Sequence, residues 1–230
     1  MTHNKRIIKK QPVQPGRAGR AKKVLAALKK LFPGAGISLR YSNPWELLVA
    51  VMLSAQCTDK KVNEITAQLF KKYRSFNDYR QANARVFEKD IKSSGFYRAK
   101  TKHILAAARI IQEKFQGLVP ASMAELTSLP GVARKTANVV LGNAFNIVEG
   151  IAVDTHVRRF ALKLNLTRYT DPAKIERDLM AIIPKKDWFQ ATYLFIEYGR
   201  GVCPARKHLC EKHPLSKIYP EAAQRWPKAG

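Results

Sequence analysis

Residues 126–141 read Leu-Thr-Ser-Leu-Pro-Gly-Val-Ala-Arg-Lys-Thr-Ala-Asn-Val-Val-Leu. This pattern predicts two helices joined by a tight turn over 129–132, with the second helix beginning near Ala133. Gly131 supplies a positive φ without a Cβ clash. The second helix then presents unpaired N–H groups and the positive end of its dipole, which together can bind a phosphate. An ordinary corner between two helices uses the same Pro-Gly turn, so the pattern alone leaves both interpretations open.

On either side of this segment, apolar residues recur at the three- and four-residue steps of amphipathic helices. Pro44 opens a segment through Gln56 that is apolar nearly all round, which predicts a central buried helix. Asp59 is expected to cap the helix that follows. The short β-branched runs lie inside helical stripes, so we expect an all-α fold. The clearest stripes are Val24, Leu25, Leu28, Leu31 and Phe32, then Ile104, Leu105, Ala108, Ile111 and Phe115, and then Ile175, Leu179 and Ile182.

The charge balance points to a polyanionic partner. The chain has 42 Lys and Arg against 17 Asp and Glu, a net charge of +25. A surplus this large repels itself in the compact state and is typical of proteins that bind nucleic acid. An anionic membrane surface and a surface adapted only for solubility are the alternatives.

We expect a soluble, intracellular protein without a membrane partner. No apolar run reaches the roughly 18 residues that span a bilayer, and no secretory signal is evident. Three cysteines do not make a disulfide framework, which agrees with a reducing compartment. The expected location is the cytoplasm, in association with the nucleoid.

Both ends of the chain are expected to lack fixed structure. Residues 1–22 contain many Lys and Arg and no acid, and Pro12, Pro15 and Gly16 interrupt any helix there. We therefore expect a disordered basic arm suited to non-specific phosphate contacts. Residues 220–230, which contain two prolines and a terminal glycine, are expected to be a frayed tail.

The segment 126–141, followed by Val-Asp-Thr-His at 153–156, resembles the helix-hairpin-helix DNA glycosylases, and among them the endonuclease III family. Ala133 stands where that family usually has a second glycine, a small change at a helix N-terminus. The resemblance extends over about 43–210, most of the folded chain. The other matching pieces are Asn-Pro-Trp-Glu-Leu-Leu-Val-Ala-Val-Met-Leu-Ser-Ala-Gln-Cys-Thr-Asp at 43–59, Gly-Phe-Tyr-Arg-Ala-Lys at 95–100 and Tyr-Gly-Arg-Gly-Val-Cys at 198–203.

The resemblance implies two helical lobes with a DNA cleft between them. The first lobe is expected to be 38–148, which includes the helix-hairpin-helix motif. The second is expected to combine 23–37 with 149–219. Lys135 should lie on one wall of the cleft and Asp154 on the other. The implied partner is double-stranded DNA that contains damaged bases or abasic sites, bound by a monomer.

The resemblance also implies that Lys135 is the nucleophile and Asp154 its charged helper. Lys135 lies in the first turn of the second hairpin helix, where the dipole and the adjacent Arg134 are expected to favour the neutral amine. This amine can attack C1′ of a damaged nucleoside, form a Schiff base and promote β-elimination. The residue types alone favour simpler roles: a phosphate contact for Lys135 and an N-cap for Asp154. For Asp154, capping is compatible with a catalytic role. His156 is expected to be packed or hydrogen-bonded rather than to act as an acid–base group.

Further DNA contacts follow from the resemblance. Gln56 matches a glutamine that fills the gap left by the extruded nucleotide, with Ser54 beside it toward the lesion pocket. Phe96 matches a wedge opposite the lesion, and an ordinary core phenylalanine is the alternative. The hairpin residues expected to contact DNA are Leu129, Gly131, Ala133 and Arg134.

The C-terminal segment departs from the family. Its relatives usually carry Cys-x6-Cys-x2-Cys-x5-Cys, which holds a 4Fe–4S cluster. Cys203 and Cys210 keep the first spacing, but His213 and Tyr219 occupy the last two positions. We therefore expect no 4Fe–4S cluster and no other cofactor or metal. A zinc site formed by Cys203, Cys210 and His213, with His208, is a weakly spaced alternative. Without a metal, we expect this segment to be held against the rest of the protein by the packing of Leu209, Leu215, Ile218 and Tyr219.

The expected activity is that of a base excision repair DNA glycosylase with AP lyase activity, acting on oxidised or saturated pyrimidines. Relatives that remove adenine or mismatched bases lack lysine at this position and often have an additional domain. A non-catalytic helix-hairpin-helix accessory protein is the alternative from another class, and it would need neither Lys135 nor Asp154. An RNA-binding protein would explain the charge but not the long apolar helices.

Overall fold

The structure, a computed structural model, describes residues 16–227. Over this range the chain folds into α-helices and short 3-10 turns with no β-strand, so the all-α prediction is confirmed. None of these helices is both long and apolar enough to cross a bilayer. The helices are α1 (Arg17–Leu31), α2 (Pro44–Leu53), α3 (Asp59–Lys72), α4 (Phe76–Gln81), α5 (Ala84–Ile91), α6 (Tyr97–Lys114), α7 (Met123–Ser128), α8 (Arg134–Ala144), α9 (Thr155–Lys163), α10 (Pro172–Ile182), α11 (Trp188–Gly201) and α12 (Pro214–Ile218).

Two apolar cores divide the helices into two lobes. In the first lobe, α2 is the central helix: it is buried from Trp45 to Leu53 except at Glu46, and it packs against α3, α6 and α8. In the second lobe, α11 packs against α9 and α1, and α1 also packs against α10 and α12. The first core uses residues from Leu39 to Ala152, and the second uses 21–28 together with 151–222. The two lobes expected from the resemblance are therefore present.

Most helices begin at side chains that accept hydrogen bonds from the first turn. Asn43 accepts from the backbone N–H of Glu46 at the start of α2, at 2.9 Å. The expectation for α3 was wrong, because Thr58 is its cap and Asp59 is its first helical residue. The carboxylate of Asp59 is instead available for contacts across the lobes. Helix α2 ends at Leu53, earlier than predicted, so Gln56 lies in a turn.

The predicted basic arm extends too far into the chain. Residues 1–15 lie outside the described range, but 17–22 form the first turns of α1. Ala21 is buried there, and Arg20 Nη1 donates to the carbonyl of Leu164 at 3.0 Å. Gly16, interpreted from the sequence as a helix breaker, is the left-handed N-cap residue of α1, with φ 87°. The long aliphatic stem of an arginine can lie along an apolar surface, so a basic composition did not prevent this helix from packing.

The predicted frayed tail is also wrong for the residues that the structure describes. Pro220–Gln224 forms a 3-10 helix, and Ala222 is buried in the second core. Beyond it, the Trp226 ring lies 3.8 Å from Lys163 Nζ. Proline favours the first position of a helix because its fixed φ suits that position and its missing N–H is not needed there. The two prolines therefore did not indicate disorder.

One carboxylate joins the lobes beside the hairpin. Glu176 of α10 accepts from Arg134 Nε at 2.7 Å and from Asn138 Nδ2 at 3.0 Å, both on α8. The Glu176 carboxylate is buried, and Gly150 lies directly against it. A Cβ added at Gly150 would be 1.9 Å from Glu176 Oε1, so this position requires glycine. These contacts, the Glu176 clamp, fix the first turns of α8 against the second lobe.

Glu176→Gln should lower the free energy of unfolding by about 1–2 kcal/mol. The amide oxygen still accepts from Asn138, but the charge that pairs with Arg134 is lost. The loss is smaller than for a fully buried pair because the Arg134 side chain is partly exposed to water. Urea denaturation measures the effect. Glu64→Gln is the matched control, since Glu64 forms an exposed ion pair with Lys61 at 2.9 Å within α3. Equal changes in the two variants would contradict the clamp.

Candidate active site

A cavity of about 530 Å³ lies between the lobes. It falls within the range of about 300–1,000 Å³ that is typical of small-molecule sites. Lys135, Ser54 and Gln56 line it from the first lobe, and Asp154 lines it from the second. The tertiary structure thus brings four of the predicted site residues to one cavity, although they are separated by up to 100 positions along the chain.

The hairpin positions Lys135 through the turn that precedes α8. Gly131 has φ 76°, and a Cβ added there would be 2.8 Å from the Cβ of His103 on α6. Both the backbone conformation and the close approach therefore require glycine. Leu129 and Val132 are buried and anchor the turn. Since Ala133, the N-cap of α8, has no side chain that accepts a hydrogen bond, the first N–H groups of α8 have no side-chain cap.

Asp154 is fixed by the start of α9. Its Oδ1 accepts from the backbone N–H of Val157 at 2.8 Å, so the residue is the N-cap that its local sequence predicts. The preceding segment 151–153 is buried in both cores. A carboxylate that is held at both its backbone and one oxygen has few alternative positions. Its orientation toward the cavity therefore needs little ordering when a ligand binds.

Asp59 is a site residue that the sequence indicated only as a helix cap. Its Oδ2 lies 2.6 Å from Arg200 Nη2 of α11 and also receives a hydrogen bond from the Ser38 hydroxyl. Burial alone would raise the pKa of Asp59, but Ser38 and Arg200, with a smaller contribution from the charge of Lys135, lower it below its usual value. Asp59 and Arg200 both belong to segments that match the endonuclease III family. That match was the sequence signal from which their place in the site could have been predicted.

His156 is packed, as expected. Its ring lines the cavity and lies against Gly199, where an added Cβ would be 2.2 Å from Nδ1. Burial lowers the pKa of His156, and the nearby carboxylate of Asp154 opposes this only in part. The imidazole is therefore held in its neutral form at neutral pH.

Gln56 and Phe96 share an uncommon backbone conformation. Their φ values are 52° and 48°, in the left-handed region that side chains other than Gly and Asn rarely adopt. Phe96 is 66% exposed, which excludes the core interpretation. Residues held in such conformations often have a functional reason, because the strain must be offset elsewhere. Both residues thus have a backbone conformation that their residue types do not favour.

Buried Lys100 ties together the two loops that carry Gln56 and Phe96. Its Nζ donates to the carbonyls of Leu53 and Ser94, each at 2.8 Å. Burial lowers the pKa of the Lys100 ammonium. One cation therefore holds the C-terminal end of α2 against the loop that precedes α6.

Two other predicted residues, Arg134 and Ser54, have partners of their own. The Arg134 guanidinium is partly engaged by the Glu176 clamp, which leaves only its remaining N–H groups for DNA. The Ser54 hydroxyl donates to the carbonyl of Val51 at 2.8 Å, so toward a ligand it is an acceptor. Cys57 is half-buried and also lines the cavity.

Within 16–227, one group of side chains has the composition and spacing for a metal ion: Cys203, His208, Cys210 and His213. None of the four lines the cavity. The packing expected for this segment is partly wrong, because Leu209 is 87% exposed. Leu215 and Tyr219 are buried in the second core as expected.

Comparison with known proteins shows one family. The pattern of the HhH-GPD superfamily of base excision DNA repair proteins matches residues 49–185. Endonuclease III of Synechocystis sp. is 51% identical over 203 residues, which cover 88% of this chain and 93% of that protein. Endonuclease III of Bacillus subtilis is 44% identical over 196 residues, which cover 85% and 89%. The structure of a trapped covalent endonuclease III–DNA intermediate is similar, with a TM-score of 0.86 and 41% identity over 91% of this chain and 99% of that one.

Phe96→Asn should raise the free energy of unfolding by about 0.5–1 kcal/mol, because asparagine tolerates a positive φ better than phenylalanine. The same change should weaken binding to duplex DNA, because the exposed ring is lost. Chemical denaturation and a binding titration measure the two effects. Leu118→Asn is the matched control, an exposed apolar residue that is not among those with positive φ. A stabilisation of similar size in both variants would show that position 96 is not strained.

Proposed function

This chain belongs to the HhH-GPD superfamily of base excision DNA repair proteins, and we propose that Lys135 and Asp154 are the residues that carry its chemistry. Its similarity to endonuclease III over most of its length makes it a DNA glycosylase with AP lyase activity. The observation that supports the two residues is that they line one cavity from opposite lobes.

Lys135 is proposed as the nucleophile. Its amine forms a bond to C1′ of the damaged nucleotide while the glycosidic bond breaks, and the base leaves with the bonding electrons and takes up a proton. Opening of the sugar ring gives an imine between Nζ and C1′. The imine acidifies the C2′ proton, and its removal expels the 3′ phosphate by β-elimination. Water then releases the enzyme. A trapped covalent complex of endonuclease III with DNA, among the similar structures, supports a covalent route.

Asp154 is proposed as the electrostatic partner. Breaking the glycosidic bond leaves positive charge on the sugar, and a carboxylate held in advance stabilises that charge without reorganisation. It can also accept the proton that the Lys135 ammonium must lose before attack. Its capping bond to Val157 keeps one oxygen in place throughout.

Gln56 and Phe96 are proposed to act on the duplex. A nucleotide can enter the cavity only when it is rotated out of the base stack, and the space it leaves must be filled. The two residues lie in the adjacent loops that Lys100 joins. The exposed Phe96 ring suits the role of an apolar wedge between base pairs. The start of α8 and the hairpin turn are suited to the backbone phosphates.

The proposed substrates are oxidised or saturated pyrimidines and abasic sites in double-stranded DNA. A saturated pyrimidine is not planar and stacks poorly, so its extrusion costs less free energy than that of an intact base. Both walls of the cavity come from one chain, which supports action as a monomer. Because the proposed substrate is DNA, the proposed location of the protein is the nucleoid.

A non-catalytic DNA-binding accessory protein is the competing function. It would require the hairpin and the net charge of +25, but it would have no use for a lysine and an aspartate that line one cavity between the lobes. The cavity therefore favours a catalytic function over that of a non-catalytic DNA-binding accessory protein.

Lys135→Gln should abolish the covalent intermediate. Borohydride reduces an imine to a stable amine, so it should link the unmodified enzyme to abasic-site DNA and fail to link the variant. Strand cleavage should fall by at least about 1,000-fold, because the covalent route is lost. Binding to duplex DNA should persist. Lys71→Gln, at an exposed lysine in the last turn of α3, is the matched control and should be trapped normally.

Asp154→Asn should slow base release by about 100-fold or more. The asparagine oxygen can still cap α9, so the unfolding transition should change little. Single-turnover base release and thermal unfolding separate the two effects. Full lyase activity in Lys135→Gln, or full base release in Asp154→Asn, would show that the chemistry lies elsewhere.

A further inference from the structure

Four potential metal ligands converge in the irregular segment between α11 and α12. They are Cys203, His208, Cys210 and His213, and one ligand atom from each lies within 4.8 Å of the other three. Both cysteines are buried and both histidines are half-buried. The four come from only eleven consecutive positions, 203–213, and the structure has no helix or strand over that stretch. A loop of this kind needs some other tether to hold its side chains together.

The histidine ring nitrogens show which atoms are available. His208 Nδ1 lies 2.6 Å from the carbonyl oxygen of Arg206. A carbonyl only accepts, so Nδ1 carries the proton and Nε2 carries the lone pair. That Nε2 is buried without a hydrogen-bond partner, and so is Nδ1 of His213. A buried polar nitrogen without a partner costs free energy, and one metal cation within reach of both nitrogens would satisfy them.

These residues do not fit a 4Fe–4S cluster, which the resemblance to endonuclease III would otherwise imply. Such a cluster is held by cysteine thiolates, and this segment has two. Tyr219 occupies the position of the fourth cysteine, but its ring is buried in the second core with the Arg20 guanidinium 3.9 Å from its centroid. A two-iron cluster with two histidine ligands places its ligand pairs on separate irons. Here all four ligand atoms, thiol and imidazole alike, lie within 4.8 Å of one another.

We propose that Cys203, His208, Cys210 and His213 bind a single Zn²⁺ ion. Two thiolates and two imidazoles are a common ligand set for structural zinc. Bond lengths of about 2.3 Å to sulfur and 2.1 Å to nitrogen put tetrahedral ligand atoms roughly 3.3–3.8 Å apart. The four ligand atoms, which lie within 4.8 Å of one another, would reach these distances through small side-chain movements. The hydrogen bond from His208 Nδ1 to a backbone carbonyl is the outer contact that zinc-bound histidines usually make.

The surrounding charges also suit this ion. Arg159 Nη1 lies 4.0 Å from Cys203 Sγ. Lys163 lies over the Trp226 ring, which in turn packs edge-on against His208. Two thiolates neutralise a divalent cation, so the filled site would add no net charge beside these two cations.

The zinc ion would hold the second lobe together rather than take part in the reaction. Four protein ligands leave no open position for substrate. Arg159 Nη1 of α9 donates to the carbonyls of Cys203 and Pro204, at 2.7 and 3.1 Å. The Trp226 ring of the C-terminal segment packs edge-on against His208. The ion would therefore link α9, which begins at Asp154, to the end of α11 and to the C-terminal segment.

Metal analysis of the full-length protein, purified without chelators, tests the site. We expect about one zinc per chain, with no iron and no acid-labile sulfide. Protein freed of metal should bind one Co²⁺ and show the visible absorption of a tetrahedral site with thiolate ligands. Chelation should lower the midpoint of thermal unfolding by at least about 5 °C, and added Zn²⁺ but not Mg²⁺ should restore it.

Two variants separate the site from general effects on folding. Cys210→Ala should lose the zinc, whereas the matched control Cys57→Ser, which changes the cysteine outside the cluster, should keep it. His213→Cys should also keep it, because three cysteines and one histidine are another zinc ligand set. If Cys210→Ala does not fold, the Co²⁺ titration of the unchanged protein still shows whether the four residues bind a metal ion. Iron with sulfide, or no metal together with no Co²⁺ binding, would overturn the proposal.

Discussion

The carboxylate of Glu176 is the contact on which the geometry of the cleft depends. It is buried and accepts from Arg134 and Asn138, which lie in the first turns of the helix that carries Lys135. The C-terminal half of α8 contacts the second lobe through Asn143 Nδ2, which donates to the Tyr193 hydroxyl of α11 at 2.6 Å. The Glu176 contact ties the first turn of α8 to the lobe that begins α9 at Asp154. Gly150 leaves the space for the carboxylate, so the linker between the lobes belongs to the same constraint.

Acidic residues are few in this chain, and several lie where the lobes meet. The sequence has 17 acidic residues against 42 basic ones. Glu176 joins α10 to α8, Asp59 joins α3 to Arg200 of α11, and Asp154 caps α9 beside the cavity. Each is paired with a cation or with backbone N–H groups. With these acids paired where the lobes meet, the net charge of +25 favours approach to DNA.

The two loops that carry Gln56 and Phe96 combine local strain with a buried support. Gln56 and Phe96 have left-handed backbone conformations, and the Lys100 ammonium bonds to the carbonyls that precede both. The strain lowers stability locally, and the buried hydrogen bonds offset it. The proposed zinc site would serve the second lobe in a comparable way, because it fixes an irregular segment that has little apolar packing of its own, as the exposure of Leu209 indicates. Both lobes thus depend on polar contacts in addition to their apolar cores.

The sequence by itself determined the features that depend on neighbouring residues. The helical periods, the turn at Gly131 and the cap at Asp154 involve contacts within a few positions, so the sequence pattern predicted them. Only the tertiary structure decided what depends on distant contacts. It extended α1 back to Arg17 and packed the segment after Pro220, because both bury apolar side chains against the second core. It also brought Asp59 to Arg200 and Glu176 to Arg134. A residue type shows what a side chain can bind, but only the packing of the helices determines which partner comes within reach.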